Sequence, residues 1–432
     1  MKMKHMARLV PLALLALGSG QVSAAGFQLL EQNASGLGNA YAGSAAVADN
    51  ASTIFFNPAG MTQLNEREVS AGLNAVRPTF KFKKNDGSTP TSAFASSGNG
   101  NDAGSWAFIP NAYMSWALNK DLYVGVGVSA PFGLVTEYDD PWIGAAQAIK
   151  FDIKTININP SIAYRINDKV SVGAGVSWQR MEAEYTRRVS IVPAAGLNAS
   201  HAALEVDGDA WGWNVGALFT LSDSTKLGVS YRSKVKHELD GDLTVTGPNA
   251  GLNAAGTSNA EVEVELPDTF ILSVTQQLNE RWEMLGDVSW TGWSSIKTLD
   301  IVRTSGTSTG QTAQTLDAEF RDTWRVALGA NYKLNDAWKL KFGIAYDQSP
   351  VRGPDTRLVS LPDSNRTWVT VGAQWNATPT SKLDLGLAYI SAAESSINNN
   401  QTNADPTKNR GTVSGNYDAR VWILGAQYSM AF

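Results

Sequence analysis

Few residues in this chain could do chemistry. Cysteine is absent from the 432 residues, which removes thiolate nucleophiles, disulfides and thiolate metal sites. There are three histidines. His5 lies near the amino terminus, His201 in an irregular stretch and His237 in an alternating one. None has a serine nucleophile and an orienting group in a recognisable setting, as a Ser–His hydrolase requires. The remaining candidates are guanidinium groups, whose permanent charge and forked geometry suit a carboxylate. Arg187 shares odd parity with Ser171, Gly173, Gly175 and Ser177, so it belongs to a small, polar face. Arg321 and Arg325 alternate with Phe320, Trp324, Val326 and Leu328 and fall opposite that apolar set. This inventory suits anion binding rather than catalysis, and no catalytic residue, cofactor or metal is expected. The structural alternative pairs Arg187 and Arg321 with Glu182, Glu319 or Asp322; Arg325 is assigned mainly to such a pair.

These side chains need a scaffold, and the amino terminus says where it is built. Lys2, Lys4 and Arg8 precede an apolar run from Leu9 to Leu17, and Val22, Ser23 and Ala24 follow. That is the order of a secretory signal peptide, residues 1–24. The run is too short for a spanning helix, which needs roughly 20 residues. Removing it takes the formal charge from −5 to −8, with 32 Lys+Arg against 40 Asp+Glu. An acidic mature chain is a poor partner for nucleic acid. A secreted chain is periplasmic, extracellular or an outer-membrane barrel.

From Glu66 onward the sequence alternates with period two, the pattern of strands. In Leu122 to Ser129, Leu122, Val124, Val126 and Val128 alternate with Tyr123, Gly125, Gly127 and Ser129. Between Leu227 and Leu239 an apolar face is backed by Arg232, Lys234, Lys236 and Glu238, and Val262, Val264 and Leu266 alternate with Glu261, Glu263 and Glu265. A charged face cannot be a dry core, so the expectation is lipid outside and water inside. Many segments exceed the roughly 9 to 11 residues that cross a bilayer at a tilt.

Tight polar connections occur at 119–121, 167–169, 222–224, 279–280, 335–337 and 377–381. Longer irregular ones fall near 84–103, 131–148, 191–203, 246–260, 304–312, 353–362 and 397–410. Six of one kind alternating with seven of the other give an all-β fold: a 14-stranded antiparallel transmembrane barrel over 67–432. An even number of strands closes the sheet with no free edge in lipid.

Two places break the alternation. In the third strand Pro131, which cannot donate to a ladder, interrupts it and Phe132 and Gly133 follow. The wall is kinked or holed there, or the strand simply ends. In the fourth strand the apolar parity changes from odd at Ile149, Phe151 and Ile153 to even from Ile156 onward. Either a bulge sits near Thr155, or the upper residues turn inward to line an apolar pocket.

The segment before the strands is different. Residues 25–61 are rich in Gly, Ala, Ser and Asn and carry only Glu31 and Asp49 as formal charges. The run Asn57, Pro58, Ala59, Gly60 ends it, and a closed wall gives such a segment a lumen to fill. At the other end, terminal Phe432 after an alternating strand resembles the signal read by the outer-membrane barrel assembly machinery.

Together these stretches resemble the FadL family of outer-membrane transporters. The resemblance rests on Ala25 to Leu29, Ser35 to Gly38, Ala40-Tyr41, Asn57 to Ala59, Ser230 to Ser233, Leu266-Pro267, Trp290 to Trp293, Arg325 to Gly329, Gly343 to Ala345 and Ile390. It spans the mature chain. It implies a barrel plugged by an N-terminal hatch, residues 25–66, and passive uptake of a long-chain fatty acid. The alternative within the family is a neutral compound such as a monoaromatic hydrocarbon. It further implies Phe27, Arg187 and Arg321 at the ligand, gating by Asn57, Pro58 and Ala59 set against the wall near the third-strand kink, and lateral exit at Pro131, Phe132 and Gly133. A monomer surrounded by outer-membrane lipid and lipopolysaccharide completes the expectation.

Overall fold

The computed structural model describes residues 26–91, 94–189, 200–405 and 408–432. The expected signal peptide and much of the expected 191–203 loop lie outside them. Fourteen strands close into one antiparallel barrel. They are β1 (Arg67–Lys84), β2 (Ala107–Ala117), β3 (Leu122–Ser129, resumed as Gly133–Glu137), β4 (Lys150–Asn167), β5 (Val170–Val189) and β6 (Ser200–Ser222). Next come β7 (Thr225–Arg232 and Val235–Thr246), β8 (Ser258–Leu266 and Thr269–Gln277) and β9 (Trp282–Thr291 and Thr298–Arg303). The circuit ends with β10 (Thr312–Asp317 and Thr323–Lys333), β11 (Trp338–Asp347), β12 (Arg366–Thr378), β13 (Ser381–Ala392 and Ser395–Asn400) and β14 (Thr412–Ala431). Closure is a long ladder from Glu68↔Ala431 to Lys84↔Gly415 between β1 and β14. Among the described residues no strand is left with an unpaired edge along its whole length, as lipid requires.

Near the tight turns the faces behave as the alternation dictates. Ile158, Ile162, Tyr164, Val172 and Val176 are exposed on the outside, while Ser161, Gly175 and Ser177 point inward. Aromatic pairs mark both rims of this apolar band: Trp282 with Tyr332 (4.7 Å) beside the tight turns, and Tyr389 with Trp422 (4.7 Å) at the far side. Amphipathic rings settle at that boundary.

Farther from the tight turns the polarity inverts, against expectation. The ladder of β7 is interrupted at Ser233 and Lys234, and beyond it Val235, His237, Leu239, Leu243 and Val245 are buried inward while Lys236, Glu238, Asp240 and Asp242 face out. In β8, Val262, Val264 and Leu266 are likewise inside and the three glutamates face outward. The charged faces therefore do not line a wet lumen. These strands outrun the bilayer, so water lies outside them and the interior is free to be apolar.

The fourth-strand ambiguity is resolved by continuous pairing: Thr155 faces Met181 in an unbroken stretch of the β4–β5 ladder. No bulge intervenes, and Ile149, Phe151 and Ile153 are buried inside.

Residues 26–66 sit within the barrel as short turns, a helical turn Thr53–Phe56 and a 3-10 helix Pro58–Gln63. Wall glycines let this backbone lie directly on the strands. A Cβ at Gly228 would fall 2.0 Å from the Ala45 carbonyl oxygen, and one at Gly343 2.2 Å from the Asn39 carbonyl carbon. Side chains then fasten it. Lys341 Nζ donates to Ser35 O (2.8 Å) and to Asp384 Oδ1 (2.7 Å), Ser44 Oγ donates to Asp287 Oδ2 (2.8 Å), and Arg325 donates to Ala40 O (2.7 Å).

Candidate ligand cavity and wall opening

The third strand determines the site. β2 pairs with β3 only from Ala112↔Val128 to Ala117↔Tyr123, and the resumed piece Gly133–Glu137 pairs with β4. Residues 107–111 keep their β1 partners but have no β3 partner. The gap is bounded below by the Ala112–Val128 pair and above by the Glu137 N–H donating to Ala103 O at 3.0 Å. Five residues of strand amount to roughly 17 Å of wall. Thr155 holds the kink, its hydroxyl donating to Phe132 O at 2.6 Å and accepting from Phe132 N at 2.9 Å. Trp106 and Phe108 are exposed beside the gap on the outside.

From the inside, the gap is faced by the start of the N-terminal segment. Gly133 N–H donates to Phe27 O and Leu29 N–H to Pro131 O, both at 2.8 Å, so residues 27–29 form a short strand partner for the kink. Gln32 Nε2 donates to Ala130 O at 2.8 Å. The Phe27 ring is 1% exposed and packs 5.0 Å from Trp293 and 5.9 Å from Phe132, with Phe320 behind Trp293 at 5.8 Å. Asp363 accepts from Gly26 N at 3.0 Å.

Above this cluster of aromatic rings the buried apolar side chains continue as a column. Ile153, Phe151, Met181 and Tyr185 line it from β4 and β5, with Leu204 and Leu239 in the same buried cluster. Arg187 ends the column, facing inward as its parity predicts. Its Nη1 donates to Arg188 O at 3.3 Å, and the cations facing it are Arg410 and Arg303. Among the described residues none of these three arginines has a carboxylate within ion-pair distance. Glu182 pairs instead with Arg180 on the outer face (3.4 Å).

Arg321 departs from expectation. The tenth strand is interrupted between Asp317 and Thr323, with Glu319 at φ 46°, so the parity carried down from Trp324 does not reach residue 321. The Arg321 side chain is exposed and its Nε donates to Ser349 O at 3.3 Å. It does not join Arg187. Arg325 is inward, but it serves the Ala40 carbonyl and lies over Trp368 (5.3 Å) rather than forming the expected ion pair.

Asn57, Pro58 and Ala59 are all buried. Asn57 Nδ2 donates to Ala45 O (2.7 Å) and to Ala217 O (2.9 Å), while its Oδ1 accepts from Ala59 N (3.1 Å). Ala59 packs over Gly173. The triplet thus seats on β5 and β6, whereas sequence reading set it beside the kink; residues 27–32 occupy that place. Sequence reading also missed Trp293, Met181, Arg303 and Arg410. The Trp290 to Trp293 run flagged the first, but Arg303 ends a strand piece cut off from the rest of β9 by residues 292–297, and Arg410 ends an irregular connection, so no unbroken periodicity shows which way either side chain points.

His237 is wholly buried and shares a hydrogen bond with Gln179 (3.0 Å), and His201 lies 3.7 Å from Asp140. Among the described residues neither has a serine hydroxyl as a hydrogen-bond partner.

The fold and sequence have known relatives. The profile of the family described as outer membrane protein transport protein (OMPP1/FadL/TodX) matches residues 15–432. A long-chain fatty acid transport protein of Escherichia coli O6:H1 is 30% identical over 451 residues, covering 97% of each chain. The crystal structure of a Pseudomonas aeruginosa FadL homologue superposes with a TM-score of 0.84 at 23% identity, over 94% of this chain and 99% of that one. The Ralstonia pickettii toluene transporter TbuX superposes at 0.67 and 18% identity, over 93% and 100%. The chain belongs to the OMPP1/FadL/TodX family of outer membrane transport proteins and is a β-barrel of the Gram-negative outer membrane.

Proposed function

We propose that this barrel takes up long-chain fatty acids across the outer membrane by diffusion. The observation that carries the reading is the length and polarity of the column. Arg187 stands six residues above Met181 on β5, and Met181 faces Thr155, which holds Phe132 beside Phe27. Six residues of strand span roughly 20 Å, a length suited to an extended long acyl chain. The guanidinium would take the carboxylate and the aromatic chamber the tail. A substrate captured among the outer loops would then lie tail-first against residues 27–29, the hatch segment that backs the wall opening. Displacing that segment would join the chamber to the gap between β2 and β3, and the substrate would leave sideways into lipid. Movement is down a gradient, and the chain is read as a transporter without enzymatic activity.

A neutral monoaromatic compound is the second reading. Phe27, Phe132, Trp293 and Phe320 form an aromatic chamber that such a molecule could fill without reaching Arg187.

Binding measured on detergent-purified protein separates the two. Oleate and palmitate should bind tightly, octanoate more weakly, and toluene should compete poorly with oleate. Equal binding of octanoate and palmitate, or displacement of oleate by toluene at similar concentration, would overturn the fatty-acid reading.

A further inference from the structure

Three arginines, each from a different part of the barrel, lie about the outer end of the column. Arg303 and Arg410 are the neighbouring cations of Arg187, and Tyr185, which faces Arg187 and Arg410, takes a hydrogen bond from Gln314 of the β10 piece paired with the strand that Arg303 ends. Arg187 is on β5, Arg303 ends β9, and Arg410 lies in the connection between β13 and β14. Among the described residues each is held by neutral groups. Arg303 Nη1 donates to Gly256 O (2.6 Å) and Ser258 Oγ (2.9 Å), Arg410 Nη1 to Gln401 Oε1 (3.4 Å), and Arg187 Nη1 to Arg188 O (3.3 Å). The Arg410 Nε is buried with no hydrogen-bond partner. The phenol of Tyr185 faces both Arg187 and Arg410 and accepts from Gln314 Nε2 at 2.8 Å. Gln147 Nε2 donates to Asn399 O and Gly411 O, tying the Arg410 loop over the same spot.

Removing a cation from water without an opposite charge is costly, and three together repel one another. Such a cluster persists because something else repays it, and a negatively charged ligand does so directly. A single carboxylate, however, carries one charge and two acceptor oxygens, too little for three forked donors. A phosphate monoester carries close to two charges at neutral pH and three acceptor oxygens, which matches three guanidinium groups.

We infer that Arg187, Arg303 and Arg410 form a headgroup site for a single-chain lipid with a dianionic head, of the long-chain alkyl phosphate class, which it prefers to a carboxylate of equal length. This inference rests on the reading that the column holds an acyl chain. It adds a substrate class distinguished by the head rather than the tail.

The test is binding of hexadecyl phosphate and palmitate to the intact purified protein at pH 8 and pH 5. At pH 8 the phosphate should bind about tenfold more tightly, the worth of one further charge-assisted contact. At pH 5 a phosphate monoester is largely a monoanion, its second pKa being about 6, so the preference should shrink. Among the described residues the titratable group facing Arg187 and Arg410 is Tyr185; His201 and Asp140 lie beside Arg188 on the outer side. His201→Gln therefore should leave the pH effect in place. Arg303→Gln and Arg410→Gln should each narrow the pH 8 preference while palmitate still binds. Palmitate binding with no preference for the phosphate at pH 8 overturns this inference alone. If neither ligand binds, the acyl-column reading falls with it. The comparison in the unaltered protein stands even where a variant fails to fold.

Discussion

Phe27 and Gly133 are joined backbone to backbone, the Gly133 N–H donating to the Phe27 carbonyl at 2.8 Å. The bond puts the start of the N-terminal segment, residues 27–29, where a neighbouring strand would otherwise pair, because β2 has no β3 partner over residues 107–111. A short, two-bond ladder is easily separated compared with the long ladders around it. Local opening free energies are lowest where few bonds and contacts hold a segment.

That pairing can be locked. Gln28 and Phe132 are opposed between the two hydrogen bonds, as a non-hydrogen-bonded antiparallel pair, whose Cα atoms lie about 4.5 Å apart and within disulfide reach. The chain has no other cysteine to interfere. In a Gln28→Cys, Phe132→Cys double variant, oxidation should stop oleate uptake by cells while leaving binding at the outer surface, and reduction should restore it. Uptake indifferent to oxidation would mean that this segment does not gate.

Arg187 and Arg321 should behave differently. Arg187→Ala removes an inward cation from the end of the column and should weaken oleate binding roughly 10- to 100-fold, the worth of a hydrogen bond to a charged group. Arg321→Ala removes an exposed side chain whose guanidinium meets a backbone carbonyl, and its oleate affinity should stay within about twofold. Fluorescence titration of both variants checks the contrast; an equal loss in the two would restore the pair that sequence reading favoured.

The hatch rests on backbone contact. At Gly228 an added methyl would sit 2.0 Å from the Ala45 carbonyl oxygen, so Gly228→Ala must push the hatch off the wall. Overpacking of this kind costs about 1–3 kcal/mol. The expected outcome is a lower thermal midpoint for the hatch and a raised ion conductance in planar bilayers, against near-silent unaltered protein. Unchanged conductance and stability would show that the hatch is seated elsewhere.

Glu31 should make the N-terminal segment pH-sensitive. It lies outside the spanning strands and is 2% exposed, and its Oε2 has no hydrogen-bond partner. Burial pushes its carboxyl up to about 7, against the opposing pull of Arg366 and Arg325. An acid raised above its unfolded value of 4.5 binds its proton more tightly when folded. Its contribution is therefore fully present below pH 4.5, declines between 4.5 and 7, and is absent above. The loss is roughly 3 kcal/mol. Hydrogen exchange of peptides covering residues 26–40 should quicken between pH 5 and 8 beyond its intrinsic dependence, and Glu31→Gln should remove the excess.

The sequence alone determined a great deal. Period-two alternation from Glu66, six tight connections against seven long ones and a closing Phe432 suffice for a closed barrel, because each is a local property of the chain. Pro131 marked the interruption of the third strand, since a residue that cannot donate breaks a ladder wherever it stands. Arg187 was legible because β5 runs unbroken from Ser171 to it, so that parity survives the distance. Only the tertiary structure decided the rest. Arg321 and the glutamates of β8 turned away from their expected faces because interrupted strands lose parity and because strands that outrun the bilayer exchange lipid for water on their outer side. Asn57 to Ala59 found β5 and β6 instead of the kink, since a segment without periodicity is placed by whichever wall glycines admit its backbone. Arg187 and Arg410 came to face the same Tyr185 across more than two hundred residues of chain for the same reason: convergence in space follows from closure of the barrel, and no local pattern encodes it.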